Sequence, residues 1–240
     1  MQRLASQDNA NNNMKHSPEY QSVDPHIEPL FKLHKLSEEE IANKKIPPFR
    51  LVSAAHNGPL FRLEKWLSPY LTSLSHLYLS TEFIRDTQHL TSCLPDLNYQ
   101  LHELHINTPL HLFTLDVVQL YPSIQPDLCK TAIHHALDSH PDHLGDNLNQ
   151  AIKYMIELVL HLPYIRYGNT DYKAISGIPT GGCTSRQEAD LFMHWLLEQI
   201  VKPNIPTWST SIILWRRFID DIFGVCGQVL RNNFLTSCNC

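Results

Sequence analysis

No apolar run in this chain approaches the roughly 18 uncharged residues of a membrane span, so no membrane partner is expected. The N-terminus, Met1 to His26, is polar and rich in Asn and Gln, without the apolar centre of a secretory signal. A basic excess is missing as well: the formal net charge is −5, whereas a protein that neutralises many phosphates usually shows a basic face. Paired cysteines are lacking too. The six, Cys93, Cys129, Cys183, Cys226, Cys238 and Cys240, are scattered with no CxxC spacing. With no secretory signal, reduced thiols in an intracellular protein are expected. A zinc site on Cys238 and Cys240 is the weaker alternative. Fifteen histidines include no HExxH, which removes the simplest zinc-hydrolase reading. There are no internal repeats.

What is present is enough for a sizeable core. The chain has 240 residues and 42% hydrophobic composition, which permits one domain or two small subdomains. Residues 1–26 read as a disordered polar tail. Residues 27 to 58 mix short extended pieces with basic residues and the Pro47-Pro48 break. Seven basic residues lie between Lys32 and Lys65 against four acidic ones, a modest local bias. From Pro59 to about His105 the pattern is helical, with Leu60, Leu63, Leu67 and Leu71 at helical spacing. Ser80 reads as the N-cap of a helix reaching about Thr91.

From about Leu110 strands alternate with helices. Leu112 to Val118 reads as a strand, Pro126 to Ser139 and Leu144 to His161 as helices. Tyr164 to Tyr167 and Tyr172 to Ser176 read as a hairpin across Gly168-Asn169-Thr170-Asp171. Thr184 or Ser185 caps a helix running to about Ile200, with Ala189, Phe192, Met193, Leu196 and Leu197 inward. This order predicts an α+β fold, a sheet covered by helices on one face.

The most informative stretch is Phe218-Ile219-Asp220-Asp221-Ile222-Phe223. Two short β-type segments meet there at adjacent carboxylates, which repel each other and resist desolvation unless a cation neutralises them. Leu112 to Val118 repeats the theme with a single carboxylate, Asp116. One Asp from a strand and two from a hairpin suit two-metal phosphoryl transfer, with Mg2+ the usual ion beside phosphates and Mn2+ a substitute. Taken alone, Asp220-Asp221 would equally suit a solvated turn. Asp116, in a strand where a lone buried carboxylate is costly, weighs against that.

Five segments in order then resemble a reverse transcriptase, most closely that of Penelope-like retroelements. Phe31-Lys32-Leu33-His34-Lys35 resembles the Lys-(Leu/Ile)-His-Lys box of that group. Pro48-Phe49-Arg50-Leu51-Val52-Ser53 resembles its Arg-Pro-Ile-Val-Ser box, with Leu51 in the Pro place. Asp116 to Ile124 resembles its first catalytic motif. Gly177-Ile178-Pro179-Thr180-Gly181-Gly182-Cys183-Thr184-Ser185 resembles the Gly-rich motif before a palm helix. Phe218-Ile219-Asp220-Asp221 resembles the aromatic-x-Asp-Asp motif. The pattern departs at Asp190, where the family more often has Asn, which sets an extra acid near the template.

The resemblance implies a right-hand polymerase with fingers mainly over 27–105 and palm mainly over 106–230, an antiparallel palm sheet, and no thumb before Cys240. It implies RNA-directed DNA synthesis from dNTPs on an RNA template and DNA primer, by a chain whose abrupt end suggests a truncated copy. Asp116, Asp220 and Asp221 are the expected catalytic residues and metal ligands, Asp116 and Asp220 foremost, with the Val117 carbonyl as a further oxygen. Tyr121 is expected under the sugar of the incoming nucleotide, or else as an ordinary aromatic at a strand end. Lys35 and Arg50 are expected on its triphosphate, or else as solvated basic residues. Pro179, Thr180 and Gly181 form a turn whose glycines would let the backbone approach a base pair. Two other readings remain: a non-catalytic nucleic-acid-binding protein derived from a retroelement, and an unrelated metal-dependent nuclease.

Overall fold

A computed structural model of the chain describes residues 26–32, 36–43, 45–54, 58–78, 82–103, 109–140, 145–162, 164–167, 170–204 and 212–227. The polar lead-in before residue 26, Ser80, Cys238 and Cys240 lie outside these residues. Chain order runs β1 (His26–Phe31), α1 (Glu38–Ala42), β2 (Phe49–Ala54), α2 (Phe61–Tyr78), α3 (Thr87–Glu103), β3 (Leu110–Asp116), α4 (Leu120–Ser123), α5 (Pro126–Ser139), α6 (Asp146–His161), β4 (Tyr164–Tyr167), β5 (Thr170–Lys173), α7 (Ser185–Leu196), β6 (Ile212–Phe218) and β7 (Asp221–Gly227). α7 continues through a π turn, Leu197–Val201. No described helix is long and apolar enough to cross a membrane.

The leucine spacing of α2 puts Leu67 and Leu71 on one stripe, and both are fully buried. They meet Ile133 and Leu137 of α5, Ile152 and Ile156 of α6, and Leu191 of α7 in the main core. Each such side chain contributes about 1.5–3 kcal/mol by leaving water. This bundle forms the support on which the second sheet rests.

The described strands form two sheets, ordered β2-β1-β4-β5 and β3-β7-β6. In the second, all pairings are antiparallel, as the Asp-Asp hairpin predicts. Residues Glu82–Ile84 run along the free edge of β6: Arg217 N donates to the Glu82 carbonyl and Ile84 N to the Arg217 carbonyl, both at 2.8 Å. Covering that edge satisfies backbone groups that would otherwise face solvent.

Four expectations are corrected. The helix expected from Ser80 starts instead at Thr87, because Glu82–Ile84 is already committed to β6; Asp86 caps it, its Oδ1 accepting from His89 N at 2.7 Å. The hairpin return is Thr170–Lys173 rather than Tyr172 to Ser176, so Tyr167 faces Thr170 and only Gly168-Asn169 separates the strands, a pair suited to a two-residue connection. The described strands form two sheets rather than the single one expected, and the segment Tyr164–Lys173 joins that of β1 and β2. Finally, helices lie on both faces of the second sheet. α7 packs on the face of Trp215 and Ile222, enclosing a 100 Å³ gap. On the other face Leu97 and Leu101 of α3 cover Leu214 and Val225. Both faces carry apolar side chains there, so both are covered.

Candidate functional site

Only Ile219 and Asp220 join β6 to β7. Ile219 has φ of 55°, a left-handed conformation that a β-branched side chain rarely adopts. Arg217 holds the turn from behind. Its Nη1 donates to the Ile219 carbonyl at 2.9 Å and to Asp190 Oδ1 at 2.8 Å, and its Nη2 to the Asp190 carbonyl at 3.1 Å. Arg217 is 2% exposed and Asp190 4%, so this is a fully bonded ion pair in the interior. The Asp190 charge is therefore answered within the protein, and its side chain also borders a 510 Å³ cavity lined by Arg85, Arg186 and Gln187. Asp190 faces inward as the partner of Arg217, which explains why an acid is tolerated where the family pattern has Asn.

The hairpin register sets Asp116 of β3 directly opposite Asp221 of β7. Directly opposed residues share a sheet face. Val117 N donates to the Asp220 carbonyl at 3.0 Å, tying the turn to the end of β3. Asp116 and Asp221 are exposed and Asp220 is half-buried. Asp116 and Asp221 line a 760 Å³ cavity with Arg85, Thr87, Thr114 and Phe218. More than a hundred residues of intervening chain are thus closed by three adjoining acids.

These acids are not drawn into one cage. Among the described residues, the group with three ligand-type atoms all within 4.8 Å of one another is Glu82, His194 and Glu198. There Lys202 bonds both carboxylates, its Nζ 3.2 Å from Glu82 Oε1, so an ammonium supplies the compensating charge. Burial pushes the Glu82 carboxyl up, but the His194 hydrogen bond at 2.9 Å and the Lys202 charge outweigh it and hold it below its ordinary value. This cluster pins the Glu82–Ile84 strip to α7 and its continuation.

A second turn adjoins the first motif. Ile178 N donates to the Tyr121 carbonyl at 2.9 Å. Gly177 has φ of 77°, and a Cβ there would lie 2.9 Å from Pro122 Cα, so only glycine fits. This docking puts Tyr121, half-buried against the main core, beside the half-buried Pro179, Thr180 and Gly181. Gly182 has a different reason to be glycine: a Cβ there would lie 2.6 Å from Ser185 Oγ and 2.8 Å from Glu64 Oε2. Its small size serves the protein's own packing.

Glu64 and Glu188 are the acids that sequence reasoning missed. Glu64 Oε2 accepts from Cys183 N at 2.6 Å, and burial pushes its carboxyl above the ordinary range. Glu188 is 0% exposed, and burial pushes it up to about 7, the Thr184 hydroxyl opposing the shift and Glu64 adding to it. A signal was available. Glu64 falls within the stripe Leu60, Leu63, Leu67, Leu71, and Glu188 beside Ala189 and Phe192, so both stand on apolar helix faces. Lys35 lies outside the described residues. Arg50 is in β2 opposite Leu30; its side chain is not described.

No family model and no curated protein sequence matches the chain. Solved structures do. Apo telomerase from Candida tropicalis superposes with a TM-score of 0.63 at 12% identity, over 99% of this chain and 44% of that one. The same enzyme truncated from its C-terminal domain gives 0.58 at 14%, over 92% and 48%. Telomerase from Candida albicans, in complex with a TWJ fragment of telomeric RNA, gives 0.58 at 12%, over 97% and 43%. The chain thus spans under half the length of these telomerase chains. Telomerase is a reverse-transcriptase-related enzyme, and the likeness supports a reverse-transcriptase-like fold for this chain.

Proposed function

We propose that this chain is the fingers and palm of an RNA-directed DNA polymerase from a retroelement, most like the Penelope-like group, adding dNTPs to a DNA primer on an RNA template. The observation that carries this reading is the hairpin register: Asp116 opposite Asp221, with Val117 N on the Asp220 carbonyl. The fold likeness to telomerase supports it.

Three adjoining acids offer an oxygen-only donor set, which suits a hard divalent ion. Asp116, Asp220 and Asp221, with the Val117 carbonyl, would hold two Mg2+, or Mn2+ in their place. Such ions, if bound there, would supply Lewis-acid activation of a primer hydroxyl and charge neutralisation at a leaving pyrophosphate. The rest of the chemistry is positioning. Tyr121 would bear on the sugar, the Pro179–Gly181 turn on the base, and Lys35 and Arg50 on the triphosphate.

Primer extension on poly(rA)/oligo(dT) with Mg2+ is the test. Extension by the intact chain that vanishes in Asp220→Ala is expected; equal extension by both would sink the reading. Tyr121→Val should admit ribonucleotides more readily, and unchanged sugar discrimination would remove Tyr121 from the gate. The second reading, nucleic-acid binding without catalysis, is favoured by the net charge of −5 and by carboxylates not gathered into one cage. It predicts binding without extension, whereas strand cleavage would indicate a nuclease.

A further inference from the structure

Helix α7 begins behind the glycine turn without a cap of its own. Thr184 stands at the N-cap position, yet its side chain makes no capping bond; its buried hydroxyl is turned to the Glu188 carboxyl instead. An uncapped N-terminus leaves backbone donors unsatisfied. The donor at Cys183 is taken by Glu64, which reaches across from α2, 119 residues earlier in the chain. A carboxylate is favoured there by the partial positive charge of the helix end. The same carboxylate, with Ser185 Oγ, fills the space a side chain at Gly182 would need. The turn is therefore shaped from α2, not from within.

We propose that Glu64 is a positioning residue for the Pro179–Gly182 turn, holding it for the incoming nucleotide through the Cys183 amide. This rests on the polymerase reading, which gives that turn its role. The alternative, that Glu64 merely stabilises the bundle, fits its setting poorly. A buried carboxylate among leucines resists burial, as its raised pKa shows, and a leucine would serve packing better. Its carboxylate accepts from the Cys183 amide at 2.6 Å, a bond that leucine could not make.

Two variants separate the roles. Glu64→Leu keeps the apolar stripe and loses the acceptor; Glu64→Gln keeps an acceptor and loses the charge. On poly(rA)/oligo(dT), Glu64→Leu should raise KM for dTTP about tenfold, the loss of one charge-assisted hydrogen bond, with kcat little changed. Glu64→Gln should restore KM to near the unmodified value. Amide exchange on the full chain gives a reading independent of activity: Glu64→Leu should speed exchange at Cys183 and Glu64→Gln should not. An unmodified chain that extends primers while Glu64→Leu keeps its KM overturns the positioning role and leaves the polymerase reading intact. An unmodified chain that extends nothing overturns both. Exchange unchanged in Glu64→Leu removes the hydrogen bond itself, whatever the activity.

Discussion

Ile219-Asp220 and Gly181-Gly182 are both tight turns beside α7, and a buried charge lies behind each. Behind Ile219-Asp220 that charge is answered: Arg217 is bonded to Asp190 and to the turn carbonyl, and both residues are almost wholly buried. Behind Gly181-Gly182 two acids face one another, and the inner one, Glu188, has the Thr184 hydroxyl against it but no basic partner among the described residues. A compensated pair fixes geometry over a wide pH range. An uncompensated acid fixes it only while it holds its proton. The hairpin that presents the candidate catalytic acids is thus the rigid half of the site. The turn proposed for the nucleotide is the half that responds to its surroundings.

The largest expected effect comes from breaking the compensated pair. Arg217→Met leaves the buried Asp190 with only the more distant Arg186, whose Nε lies 3.8 Å from its Oδ2, and denaturant unfolding should show a loss of about 3–5 kcal/mol. Arg217→Met with Asp190→Leu should recover much of that. If the single variant unfolds like the unmodified chain, the contrast between the turns has no basis.

Glu188 comes next. Its folded value, about 7, stands above its ordinary 4.5, so the folded state favours the protonated form. The stability this confers is complete below pH 4.5 and is lost as pH rises toward and through 7. The span corresponds to on the order of 3 kcal/mol. Glu64, also raised by burial, acts in the same direction. Glu82, held low by His194 and Lys202, acts oppositely, its contribution fading as pH falls. Melting temperatures between pH 4.5 and 8 should therefore flatten in Glu188→Met; the same slope with and without the substitution would mean that Glu188 is paired after all.

The smallest effect is steric. Gly182→Ala should lose about 1–3 kcal/mol, because a Cβ must displace Ser185 Oγ or Glu64 Oε2. Combined with Glu64→Leu the loss should change, since the two side chains contend for one space. Strict additivity in that double variant would show that Glu64 does not shape the turn.

Much of the fold was legible because helix periodicity is local. The stripes of α5 and α6 are buried about where their spacing predicts; in α7, Ala189, Phe192 and Leu197 are buried as expected, Met193 and Leu196 only half so, and Leu191 is buried unannounced. So was the Asp-Asp hairpin, whose apolar flanks and acidic tip announce themselves in six residues. The start of α3 was not, since it depends on Glu82–Ile84 finding the edge of β6, a contact that spans more than a hundred residues. The fate of Asp190 was illegible for the same reason: its partner stands 27 residues later, across the interface between α7 and β6.

The sequence by itself determined which segments curl, which extend, and where acids, glycines and Tyr121 fall along them, because those choices follow from neighbours within a few positions. Only the tertiary structure decided which acids face solvent at the site and which are enclosed, and so which are paired, strained or held neutral. A side chain's charge state depends on what surrounds it in space, and those surroundings come from elements far apart in the chain.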